Sequence, residues 1–164
     1  MINIDQIKKL REETGVSISE CKKALVQAKG DLKKAKEILK SWGRELAEKK
    51  LERKTEAGLI DFYLHPNKKV GVMLDIRCES DFVANNKDFQ NLAHELCLQI
   101  AAMNPLFLKE KDAPKGFSGN KKEASLLSQV WIKDETKTIQ DLINDCIAKI
   151  GENIVVKRFI RYEI

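Results

Sequence analysis

Ile60-Asp61-Phe62-Tyr63-Leu64-His65-Pro66-Asn67-Lys68-Lys69-Val70-Gly71-Val72-Met73-Leu74-Asp75-Ile76 is the stretch on which the fold turns. Upstream of it apolar residues recur with the 3.6-residue period of a helix; here they recur every second residue, the period of a half-buried strand. Ile60, Phe62 and Leu64 alternate with Asp61, Tyr63 and His65, and Val70, Val72, Leu74 and Ile76 repeat the pattern. Pro66-Asn67-Lys68-Lys69 between the two runs is turn chemistry. Residues 58–78 are therefore expected to form a β-hairpin with one buried face that carries these apolar sets.

A face of that kind needs a cover, and the next segment supplies one. Phe89, Leu92, Ala93, Leu96, Cys97 and Ile100 make a long helical stripe that Pro105 stops. Residues 105–120, with Pro105, Pro114, Gly116 and Gly119, read as an irregular connection, and Lys121–Gln129 as a weak short helix. Thr138 is positioned to cap a stronger helix carrying Ile139, Leu142, Ile143, Cys146, Ile147 and Ile150, which Gly151 ends. The β-branched and aromatic tail from Ile154 to Ile164 is expected to add a third strand. Its alternation breaks at Lys157-Arg158, so the pattern does not assign its faces.

Upstream of the hairpin, residues 1–43 read as three short helices. Asn3 caps the first, with Ile4, Ile7 and Leu10 on one face before Gly15 stops it. Ser17 and Glu20 form a capping box for the second, with Cys21, Ala24, Leu25 and Ala28 facing inward until Gly30. Asp31 caps the third, whose Leu32, Ala35, Ile38, Leu39 and Trp42 repeat to Gly43. Residues 44–56 are mostly charged and read as a helical linker. The expected architecture is α+β: a three-helix unit at 1–43, a linker at 44–56, and at 57–164 a small antiparallel sheet of about three strands packed with helices.

Apolar residues make up 43% of the 164 and charged residues 34%, the balance of a folded water-soluble protein. The net charge of +5 favours an acidic partner surface, yet Lys is mixed with Asp and Glu nearly everywhere, so no basic stripe marks a dedicated nucleic-acid binder. The four cysteines, at 21, 78, 97 and 146, contain no CxxC pair, and neither a zinc cluster nor a disulfide framework is expected. With no basic leader before an apolar run and no run long enough for a membrane span, the expectation is a cytoplasmic protein without a membrane partner.

The sequence holds no phosphate-cradling GxxxxGK[ST] and no GxSxG elbow. His94-Glu95 begins an HExxH pattern, but Leu98 stands where the second ligand belongs, so no metal is expected. The first two helices have the layout of a DNA-reading pair, yet the second offers Lys22, Lys23 and Lys29 with only Gln27 as a base reader. No specific nucleic-acid partner follows. The most unusual local feature is Ser80-Asp81-Phe82-Val83, between the second strand and the polar stretch Asn85-Asn86-Lys87-Asp88. Phe82 there is either a core residue at a strand-to-helix junction or an exposed hydrophobic anchor. Periodicity leaves both readings open.

At this point the motifs match a family. Glu13-Thr14-Gly15-Val16, then Cys21-Lys22-Lys23-Ala24-Leu25, Gly30-Asp31 and Ala35, resemble the ubiquitin-associated-like N-terminal bundle of the elongation factor Ts family. Val70-Gly71-Val72 through Cys78-Glu79-Ser80-Asp81-Phe82-Val83-Ala84 resembles its core signature, with Ser80 in place of the usual Thr. Gln129-Val130-Trp131-Ile132-Lys133-Asp134, Lys149-Ile150-Gly151-Glu152-Asn153-Ile154 and Phe159-Ile160-Arg161-Tyr162-Glu163 are similar to three further family motifs, in the same order. Besides Ser80, the segment between Pro114 and Ser125 departs from the family, being much shorter than its helical insertion, and the chain has a single core module where longer members have two.

The resemblance implies a guanine nucleotide exchange factor that is not an enzyme and needs no cofactor. Its implied partner is elongation factor Tu in the GDP form. By the same resemblance Val16, Ile18, Ser19 and Lys22 dock on the GTPase domain; of the partner-binding residues Ser80, Asp81, Phe82 and Val83, the pair Asp81 and Phe82 inserts near the nucleotide and disturbs the magnesium and phosphate contacts; and Ile150 and Gly151 add to that surface. Single-module relatives are expected to form a homodimer, through a sheet edge left open by the strand that ends at Ile164. A small basic protein that binds RNA or the ribosome is the competing reading, and it predicts binding that collapses with salt.

Overall fold

The structure, a computed structural model, describes residues 3–164. Helix α1 (Ile4–Thr14) starts at Asn3, whose side chain accepts from the Asp5 amide while the Gln6 side chain accepts from the Asn3 amide. It ends at Gly15 with φ 69°, the left-handed conformation that a residue without a β-carbon adopts at little cost. Helix α2 (Ile18–Gln27) is capped by Ser17, and helix α3 (Leu32–Lys50) by Asp31, whose carboxylate accepts from the amides of Lys33 and Lys34. The stripes meet in a small core of Leu10, Cys21, Ala24, Leu25, Ala28, Ala35 and Leu39.

Gly43 does not end the third helix. Helix α3 continues through it to Lys50, because its last two turns pack on helix α7 (Ile139–Ile150). Arg44 and Lys40 both reach the carboxylate of Asp141, at 2.7 and 3.0 Å, and Lys50 Nζ donates to the Gly151 carbonyl. Ala47 belongs to the larger core. These contacts outweigh the cost of about 1 kcal/mol that a helix-interior glycine carries.

Strands β1 (Ala57–Leu64) and β2 (Val70–Cys78) form the expected hairpin, and β5 (Val155–Glu163) pairs with β2, giving an antiparallel sheet in the order β1-β2-β5. Helix α5 (Lys87–Met103) and α7 supply the helical layer, and Phe89, Leu96 and Ile100 on α5 meet Leu74 and Ile76 in a water-free core.

The expected face of β1 is reversed. Register pairs Leu59, Asp61 and Tyr63 with Ile76, Leu74 and Val72 on the core side, so Ile60, Phe62 and Leu64 point away from it, 52%, 68% and 54% exposed. Antiparallel pairing admits only one parity, and the buried Val72, Leu74 and Ile76 of β2 win the core. Across the sheet Phe62 is paired with Met73, and Met73 with Ile160; these three with Ile60, Leu64 and Tyr162 form an uncovered apolar face. The break at Lys157-Arg158 is a bulge: Asp75 pairs with Arg158 and Ile76 with Val156, leaving Lys157 without an opposite residue.

Two elements carry no simple period. Strands β3 (Val130–Trp131) and β4 (Asp134–Thr138) make a short hairpin that begins in the segment 129–134, read only as a motif, and runs on to the cap at Thr138. Fully buried Gln99 holds it, donating to the Val130 carbonyl and accepting from the Ile132 amide. The weak helix of 121–129 resolves into helix α6 (Lys121–Ala124) and a 3₁₀ turn at Leu126–Ser128. Among the described residues no helix is long and apolar enough to cross a membrane.

Candidate functional site

Strand β2 delivers the chain to Cys78 with its side chain buried, and the backbone then turns. Ser80 caps a single helical turn, α4 (Asp81–Ala84), its hydroxyl accepting from the Val83 amide at 3.4 Å. On so short a turn successive side chains diverge by about 100°. Val83 and Ala84 enter the main core at 3% and 8% exposure, and Phe82, turned away from them, stands 83% exposed. The structure thus places Phe82 on the surface, with Asp81 exposed beside it, while Val83 anchors the turn from below and offers almost no surface of its own.

Helix α7 ends against this turn. Gly151 caps it at φ 88°, its amide donating to the Ile147 carbonyl at 2.8 Å, and Ile150 packs partly on the main core. Glu152 then reaches across: one carboxylate oxygen accepts from the amides of Glu79 and Ser80 at 3.1 and 3.0 Å, the other from the Ser80 hydroxyl at 2.6 Å. Motif reading gave Glu152 no role, since contacts between residues 73 positions apart have no local signature. Burial pushes the Cys78 thiol up to about 11, and the carboxylates of Glu152, Asp81 and Glu79 push in the same direction. It is a protonated packing residue rather than a nucleophile.

The bundle contributes a third segment. Ile18 is 55% exposed, and Ser19 and Lys22 are exposed beside it, Lys22 one turn further along α2. Val16 is only half available, since it packs against the small core. Lys149 ties the segments together. Its side chain lies over Gly15, where a β-carbon would sit 3.2 Å from Lys149 Cε, and its ammonium pairs with Asp88 at 2.7 Å, at the start of α5. The α1–α2 turn, the end of α7 and the residues just after α4 are therefore neighbours. Among the described residues no group of three or more His, Cys, Asp or Glu side chains is arranged to hold a metal.

What this arrangement presents is an exposed aromatic on a one-turn helix, beside the end of α7, with the α1–α2 turn reached through Lys149. A family model described as Elongation factor TS matches residues 5–123, which include the bundle, the hairpin and α4. A protein of Thermotoga maritima named Elongation factor Ts is 44% identical over 191 aligned residues, covering 99% of this chain and 96% of that protein. Proteins of the same name from Thermoanaerobacter pseudethanolicus and Coprothermobacter proteolyticus are 39% and 40% identical over 193, again covering 99% of this chain. These aligned lengths exceed the 164 residues here, so the relatives carry residues that this chain lacks. Since the likeness at this level extends past the family model to the loop at Gly151 and the last strand, the chain belongs to the elongation factor Ts family of translation elongation factors.

Proposed function

We propose that the protein is a guanine nucleotide exchange factor of translation, acting in the cytoplasm on elongation factor Tu in its GDP form. In this reading Ile18, Ser19 and Lys22, with Val16 behind them, dock on the GTPase. Asp81 and Phe82, held by Ser80 and Val83, enter beside the nucleotide and disturb the magnesium and phosphate contacts, and Ile150 and Gly151 widen that surface. The observation that carries the reading is the exposure of Phe82, 83%, on a turn whose next two residues are buried. A large aromatic held in water has little to contribute to its own fold and much to a partner.

The protein makes and breaks no bond in this scheme. A factor that prefers the nucleotide-free GTPase must weaken GDP binding by the same ratio, because coupling between two ligands is reciprocal. Each tenfold gain in release corresponds to about 1.4 kcal/mol of barrier. The test is release of fluorescent GDP from the cognate elongation factor Tu with substoichiometric protein. Acceleration is expected, and an unchanged release rate would sink the proposal.

The uncovered face of the sheet favours one further partner, a second copy of this chain. Phe62, Met73, Ile160 and Tyr162 lie side by side across three strands, and sheets with apolar faces stack about 10 Å apart. A two-fold axis would set the patch against itself. This is pairing through the face of the sheet, distinct from pairing through a strand edge.

A further inference from the structure

Between the last residue of β2 and the first of α4, the amides of Glu79 and Ser80 belong to neither a ladder nor a helix. Both donate to Glu152. The exchange is mutual, because the Glu79 carboxylate accepts from the Asn153 amide at 2.6 Å and lies 3.6 Å from Arg53. Asn153, 1% exposed, in turn donates to the Arg53 carbonyl. Two carboxylates thus latch two loops, each bound to the other's backbone.

We propose that Glu152 is a positioning residue for nucleotide exchange, holding α4 so that Phe82 projects in a single pose; the inference rests on the reading of Phe82 as the inserted anchor. A one-turn helix does not sustain itself, since its nucleus costs more than its few hydrogen bonds return. Val83 and Ala84 fix the buried side of α4, while at its N-terminal end the Ser80 carbonyl accepts a weak bond from the Cys78 thiol at 3.2 Å. Glu152 closes that end with three hydrogen bonds, and bonds to a charged acceptor are roughly twice as strong as neutral ones. Its contacts all run inward to the turn. Because Glu152 directly follows Gly151, the same latch makes the α7 end and the Phe82 turn one rigid unit. An anchor that must enter beside a nucleotide gains from such preorganisation, and a misplacement of ~1 Å at a reacting centre is able to cost about a hundredfold in rate.

The test measures GDP release over a range of factor concentrations for the wild type, Glu152→Gln, Glu152→Ala, Phe82→Ala and the double variant Glu152→Ala/Phe82→Ala. Removing Glu152 is expected to lower the maximal release rate about tenfold while the half-saturating concentration moves less than about threefold, since the docking residues on α2 are untouched. Glu152→Gln keeps one acceptor oxygen and is expected to fall between. In the Phe82→Ala background the loss of Glu152 is expected to cost less than about twofold more, because a residue acting through Phe82 has nothing left to position. Amide hydrogen exchange at 79–80 is expected to quicken in Glu152→Ala with the protection of α5 unchanged. Unaltered maximal rates in both Glu152 variants, or a full further tenfold loss in the double variant, would overturn the proposal. Should Glu152→Ala lose protection throughout, Glu152→Gln decides by the same rate criterion. Failure of the underlying reading looks different: the wild type leaves GDP release unchanged, or Phe82→Ala is as active as the wild type.

Discussion

Phe82 and Val83 are adjacent in the chain and opposite in environment, one 83% exposed and the other 3%. That contrast sets up a pair of predictions. Phe82→Ala removes no core contact, so its melting temperature is expected to stay near that of the wild type, within the effect of about 0.5 kcal/mol usual for surface changes. Its maximal rate of GDP release is expected to fall tenfold or more at saturating factor, since the lost contact forms only in the exchange intermediate. Val83→Ala is expected to do the reverse, costing about 1–2 kcal/mol in denaturant titration while the folded fraction remains active. A Phe82→Ala variant that melts far below the wild type, with normal exchange by what stays folded, would return Phe82 to the core.

Among the elements, α3 and α7 form the joint on which the relation between bundle and sheet depends. Gly43 lies inside α3, where an added β-carbon would come 3.5 Å from the Ala148 methyl, an ordinary contact. Gly43→Ala is therefore expected to stabilise the protein by about 0.5–1 kcal/mol in thermal or urea denaturation. A helix that stopped at Gly43 in a left-handed turn would give the opposite sign. Asp141 is the electrostatic half of the joint. Burial alone would raise its carboxyl, but Arg44 and Lys40, with the Thr138 amide, hold it down to about 2. A carboxyl whose folded pKa is depressed contributes stability above its unfolded value near 4, and loses it as pH falls towards 2. Asp141→Asn is thus expected to be less stable than the wild type by about 2 kcal/mol at neutral pH, with the difference closing between pH 4 and pH 2. A gap that stays constant across that range would remove the ion pairs from the explanation.

For the whole molecule, the sheet is the surface without a second layer. Its helical side is filled, while Phe62, Tyr162 and Met73 remain 68%, 69% and 54% exposed on the other. A contiguous apolar patch of this kind marks an interaction surface in a water-soluble protein. Phe62→Lys is expected to leave the fold intact and shift the protein from dimer to monomer at tens of micromolar in sedimentation equilibrium. A wild type that is monomeric at that concentration would refute pairing through the face.

The sequence by itself determined every element whose cause is local. Asn3, Ser17, Asp31 and Thr138 start helices because their side chains satisfy amides two or three residues ahead, Gly15 and Gly151 stop them through their left-handed backbone, and the stripe from Phe89 to Ile100 declares its buried face. The motifs, being ordered strings, were equally readable. Tertiary structure alone decided the rest, in each case because the deciding partner is remote in the chain. Gly43 stays helical because α7 lies against it, and Ile60, Phe62 and Leu64 face outward because β2 claims the core. Lys157 bulges because β5 must keep both Val156 and Phe159 packed against one core. Phe82 projects because Val83 and Ala84 are the residues of its turn that face the core, and the end of that turn is tied by a glutamate 70 residues further on. Local patterns record which residues prefer water; only the packed molecule settles which of several apolar residues is left without a place inside.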